Sequence, residues 1–149
     1  MALATHRAIE NRGECEYAEF YLSGSSCYPG MLFMQDSSGY AIVHDIVGGG
    51  TPLMIGNIDS LQGKIATDVY TTLYNIPIIF PHKGAVVNVL VVSGQTVAIG
   101  SHLVSDGTGK FAVIGDGTSG TQEDVVLLEA IEGQAIALAA DTLVAARVL

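Results

Sequence analysis

Turn-forming pairs and glycine clusters cut this chain into short runs of strand character, and that punctuation constrains its fold more than anything else in it. Asp106-Gly107 and Asp116-Gly117 stand ten residues apart. Asp-Gly favours a tight type I′ turn, whose two central positions both want positive φ. Residues 101–105 precede the first pair and 111–114 follow it, so the segment reads as two strands around a tight turn. Lys110 then becomes a solvated residue beside that turn.

The same reading extends along the chain. Residues 14–22 begin by alternating and then slip phase, which suits a strand with a bulge or bend. Turn clusters at 23–30 and 36–39 bracket a short buried strand at 31–35, and another strand follows at 40–47. The glycines at 48–50 mark an exposed loop, and 53–66 is the least legible segment. Residues 67–81 are β-branched and aromatic, with Pro77 restricting the strand to an edge or an irregular course. Residues 83–92 predict the clearest central strand. Beyond Gly133 the apolar residues lack a clean helical period, which predicts short strands with one helical turn near residues 137–140. Residues 94–104 and 133–144 echo each other and suggest two hairpin-like units in one barrel. The expected fold class is all-β: a small β-barrel or sandwich of short antiparallel strands with an N-terminal arm. The arm is residues 1–13 and the single β domain 14–149.

Chemistry leaves few traces. A Walker A loop fails on spacing, because Val104 stands where its first glycine belongs and Phe111 follows Lys110. His6, His44, His82 and His102 are far apart, and none has a second ligand at metal spacing; His44 reads as a surface or half-buried residue beside Asp45. No Gly-x-Ser-x-Gly elbow occurs. Cys27 reads as a buried structural thiol, and Cys15 and Cys27 as unpaired in a chain whose first residues lack the pattern of an export signal. Glu14, Glu16 and Glu19 read as a solvated strand face. The expectation is a protein that is not an enzyme and needs no cofactor or metal.

Composition points to assembly. Charged residues are only 14% of the 149, against 49% hydrophobic, so part of the surface is expected to be covered by other chains. Six basic residues and a net charge of −9 argue against nucleic acid and against anionic membrane surfaces. The longest charge-free stretch, 84–105, is broken by Asn88, Ser93, Gly94, Gln95 and Gly100, which suits strands with turns and not a spanning helix.

In order along the chain come Pro29-Gly30 before Met31 and Leu32, Gly94, Val97, Gly100 and Leu103 at regular spacing, the Asp106-Gly107 turn, an alanine-rich segment, and a terminal Arg147-Val148. This ordered set resembles the head-decoration, or capsid cement, proteins of tailed bacteriophages, from about residue 21 to the end and most weakly over 53–73. The resemblance implies a compact β-barrel-like domain, usually a homotrimer, on the outer surface of the capsid. The major capsid protein would be its partner, and it would be made in the host cytoplasm and carried in the virion. Within that frame the arm becomes the capsid contact, through Met1, Ala2, Leu3, Ala4, Thr5, His6 and Arg7. It is expected to be mobile when free and to order on an exposed strand edge of the shell.

Residues 91–103 also resemble half of a biotinyl or lipoyl domain, which would make Lys110 the modified lysine of a carrier. That lysine normally sits in Ala-Met-Lys-Met or Asp-Lys-Ala. Here it sits in Thr-Gly-Lys-Phe, in a chain about twice as long.

Overall fold

The structure, a computed structural model, describes residues 8–46, 53–62, 64–114 and 127–149. The Asp116-Gly117 pair and the glycines at 48–50 lie outside them, as do residues 1–7. Described in chain order are β1 (Glu10–Arg12), β2 (Cys15–Tyr21), β3 (Leu32–Gln35), β4 (Ala41–Val43), β5 (Met54–Gly56), β6 (Asn75–Pro81), β7 (Val86–Val91), β8 (His102–Ser105), β9 (Phe111–Val113), β10 (Leu128–Ala130) and β11 (Thr142–Val148). Among the described residues there is no α-helix, only the 3-10 turn Ser60–Gln62. The protein is all-β.

Strands β7, β11, β10, β8 and β9 pair in that order. The ring closes where β9 meets β7 in parallel at Val91↔Phe111, making a small five-stranded barrel. The sequence of β7 explains its central place. Val86, Val87, Val89 and Val91 are β-branched and buried, and such side chains pack well on a pleated surface covered on both faces. Val87, Val89, Val91, Leu103, Phe111, Leu128, Val144 and Ala146 fill the interior. Fully burying a side chain of valine or leucine size contributes about 1.5–3 kcal/mol.

The second sheet runs β2-β6-β5-β3-β4, antiparallel throughout. Its ends approach each other where Leu22, just past β2, bridges Ala41 of β4. Neighbouring residues on its strands serve opposite faces, as the period of two requires. Phe33, Met54, Ile76 and Ile78 enclose a core of their own with Leu22, Cys27, Met31 and Tyr70, while Leu32, Ile55 and Ile79 join the barrel's core. The two layers therefore share packing.

Several expectations are corrected. The arm ends before Gly13, because Ile9 is fully buried and β1 pairs with β7 at Glu10↔Val87. Pro77 lies in a central strand, since β6 sits between β2 and β5. Its carbonyl accepts from Asn57 N at 2.9 Å on the β5 side, and the β5 pairing stops at Gly56↔Ile78. The missing N–H thus falls just past a strand end, where no ladder bond is lost. Residues 137–140 form no helical turn; Leu138 is held instead by Gly94 and Gln95. The two echoing segments are not two hairpins. Their loops pair with each other, through Gln134 N to Val97 O at 2.9 Å and Leu138 N to Gln95 O at 2.9 Å, and turn the buried Val97 and Leu138 inward.

Candidate functional site

The β8–β9 connection spans five residues rather than a two-residue turn, with Ser105 opposite Phe111. The Asp106 carboxylate organises it. Its Oδ1 accepts from Thr108 N at 2.7 Å and Lys110 N at 3.2 Å, and Asp106 N donates to Lys110 O at 3.0 Å. Asp-Gly chemistry is at work, but the aspartate side chain caps a wider loop.

This loop joins the barrel to the second sheet. Gly109 N donates to His44 O at 3.0 Å, and Gly109 O accepts from Leu32 N at 2.7 Å. A Cβ at this position would come 2.7 Å from Met31 Cε and 2.9 Å from Val43 Cβ, and φ is +83°. Only glycine meets both conditions. Beside it, His44 Nδ1 and Ser105 Oγ lie 2.8 Å apart, both residues buried. Ser105 Oγ accepts from Gly107 N at 3.2 Å, which leaves its proton for His44 Nδ1. Burial lowers the His44 pKa, with Asp45 pulling the other way, so a neutral acceptor ring fits. His44 is therefore a buried joint rather than the surface or half-buried residue expected. Nothing in the sequence links it to Ser105, which is 61 residues away.

Lys110 is likewise not a solvated bystander. Its Nζ lies 2.8 Å from Asp141 Oδ2, with both side chains about one-third exposed. Asp141 Oδ1 accepts from Ser93 N at 2.9 Å. Burial pushes the Asp141 carboxyl up, but the hydrogen bonds from Lys110 and Ser93 and the nearby ammonium charge outweigh it, so the pKa is lowered. A carrier's lysine has to swing free; this one is tied to a partner.

Asp141 also borders a cleft of about 370 Å³ whose walls include Tyr28, Ala66, Leu90, Ala140 and Leu143. The lining is mainly apolar and aliphatic. The cleft can bury side chains, and Thr67, Asp141 and Thr142 give it a polar margin. Among the described residues no group of three or more His, Cys, Asp and Glu is placed to hold a metal ion.

Cys27 is buried and Cys15 half-buried, both free, and burial pushes both thiols up, away from the reactive thiolate. Glu14 and Glu16 are solvated as expected, but His82 stands between them, 3.6 and 3.7 Å away. The expected capsid-contact residues, Met1 to Arg7, lie outside the described residues.

The surface carries more apolar bulk than the sequence reading had located. Leu61 is 90% exposed, Ile99 78% and Ile136 73%. Leu61 belongs to the segment that was least legible. Ile99 and Ile136 project from the two loops that pair across the barrel. Tyr21 and Tyr40 meet on the surface with their rings tilted by 51° and centroids 5.0 Å apart. The surface position of Ile99 and Ile136 is not legible in the sequence because both sit in loops, where no period separates inward from outward.

Comparison with models of protein families and with curated proteins gives no match to this chain.

Proposed function

We propose that this chain is a structural virion protein that binds the outer surface of a phage capsid and stabilises it, acting as a homotrimer on the major capsid protein. The carrying observation is an all-β fold that leaves Leu61, Ile99 and Ile136 standing in solvent on a chain with 14% charged residues. Each such side chain is worth about 1.5–3 kcal/mol when covered, so assembly has a driving force built into the surface. The ordered motifs from Pro29-Gly30 to Arg147-Val148 support the capsid as the partner. Residues 1–7 are the proposed shell contact. The lysine carrier is the weaker reading, given the Lys110–Asp141 pair.

Native mass spectrometry combined with binding to undecorated capsids tests this. The expected result is a trimer that saturates a fixed number of capsid sites. A monomer at all concentrations that leaves capsids bare would overturn it.

A further inference from the structure

The two loops that pair across the barrel build a surface of their own. Residues 93–101 and 133–140 contain no Asp, Glu, Lys or Arg. Gln95, Val97 and Leu138 are buried beneath them, which leaves Thr96, Ala98, Ile99, Ala135, Ile136 and Ala137 in solvent. This face is fixed before anything touches it. Beside the bonds from Gln134 and Leu138 to the opposite loop, Gly100 N donates to Ala130 O at 2.7 Å and Val113 N donates to Gln95 Oε1 at 3.0 Å. The loops lie so close that a Cβ at Gly133 would collide with Val97 O. Carboxylates at the border are engaged elsewhere: Glu132 Oε1 accepts from Ala145 N at 2.9 Å, and Asp141 is paired with Lys110.

We propose that this face is where copies of the chain meet, with Ile99 and Ile136 at the centre of the contact. That an assembly exists rests on the homotrimer reading; the choice of surface rests on the loops. Charge selects the occupant. Copies of net charge −9 repel each other, and the repulsion is least where the facing surfaces carry no charge. A second copy of the same face also leaves no carboxylate buried without a partner, the costliest defect an interface can carry. Size fits the centre of a contact. The two loops expose eleven residues, against about 20–30 on each side of a stable interface, so flanking residues would form the rim. Loops already held in place lose little freedom on binding, which lowers the cost of association.

Native mass spectrometry over a dilution series tests this on the full chain carrying Ile99→Glu and Ile136→Glu. Both side chains are exposed, so circular dichroism should match the parent. The concentration at which the assembly falls apart should rise at least about a hundred-fold. A second variant reads the face directly. The chain has no tryptophan, so Ile136→Trp places a single reporter there. Its emission should be blue-shifted in the trimer and move to the red on dilution, in step with the loss of trimer mass. An assembly that keeps the parent's dissociation concentration with both glutamates in place would overturn the inference and leave the homotrimer reading standing. So would emission that stays unchanged while the trimer dissociates. Emission that turns blue only when undecorated capsids are added would assign the face to the shell and overturn it too. A parent that is monomeric at every concentration would overturn both readings.

Discussion

The barrel and the second sheet solve the same problem with different materials. The barrel draws its five strands from residues 86–148, closes on itself through β7 and β9, and fills its interior largely with valine, leucine and alanine. The second sheet gathers residues 15–81, meets its own far edge at one bridge only, and packs Phe33, Tyr70, Met31, Met54 and Cys27. A closed ring leaves no strand edge to protect. The open one borrows cover: the barrel's Gly109 hydrogen-bonds Leu32 and His44, at the start of β3 and just past β4. The barrel should therefore be the autonomous part and the second sheet the dependent one.

The largest test of that contrast replaces one fully buried ring in each region. Phe111→Ala in the barrel and Phe33→Ala in the second sheet should each cost about 3–5 kcal/mol. Hydrogen exchange should separate them. Losing Phe111 should lower protection throughout, whereas losing Phe33 should expose β3, β4 and β5 and leave β7 and β11 protected. Equal loss everywhere from Phe33→Ala would break the distinction.

Next in size is Gly109→Ala, at about 2–3 kcal/mol, from the left-handed φ together with the approach to Met31 and Val43. Urea melts should show the loss. Exchange should rise first at Leu32 and Gly109, the amides that stitch the two sheets. Loss confined to β8 and β9 would mean that the loop only turns a hairpin.

Strand existence was legible where both period and composition agreed, as in β7, where a run of valines between Gly84 and Ser93 leaves few alternatives. Position within a sheet was not. Pro77 sits in a central strand because β5 is short, a fact about a neighbour that the 67–81 segment does not contain. The same limit hid β1, since three residues carry no readable period and only the fit of Ile9 into the barrel core shows where the arm ends. The site was hidden more deeply. His44–Ser105 and Lys110–Asp141 join residues 61 and 31 positions apart, so the sequence neighbours of each give no sign of its partner.

The joint between the regions gives a smaller and pH-dependent effect. Ser105→Ala leaves His44 Nδ1 and Gly107 N without this partner in a buried place and should cost about 1–3 kcal/mol. His44 is lowered in the folded chain by burial, against about 6.5 unfolded. Between those two values the unfolded chain binds more protons. Stability should thus fall as pH drops below about 6.5 and level off beneath the folded value. Chemical melts at pH 7.5 and 5 should show that decline in the parent, and His44→Gln should flatten it. An unchanged slope in His44→Gln would place the pH sensitivity elsewhere.

Smallest of all is the contact at the rim, Lys110–Asp141, which ties the loop after β8 to the start of β11 within the barrel. Both side chains keep contact with solvent, so water and salt screen the pair, and removing it with Lys110→Met should cost only about 0.3–1 kcal/mol. Its pH signature runs opposite in range to that of His44. The Asp141 carboxyl is lowered in the folded chain, so its contribution is complete above the unfolded value of about 3.9 and is lost as pH falls through the folded one. The loss in Lys110→Met should therefore appear at pH 7, shrink in 0.5 M salt, and vanish at about pH 2. Hydrogen exchange in β3 and β4 should not change, because Gly109 rather than Lys110 carries the link to the second sheet. If Lys110→Met loosens that sheet as much as Gly109→Ala does, the ion pair belongs to the junction and the two regions are coupled through charge as well as backbone.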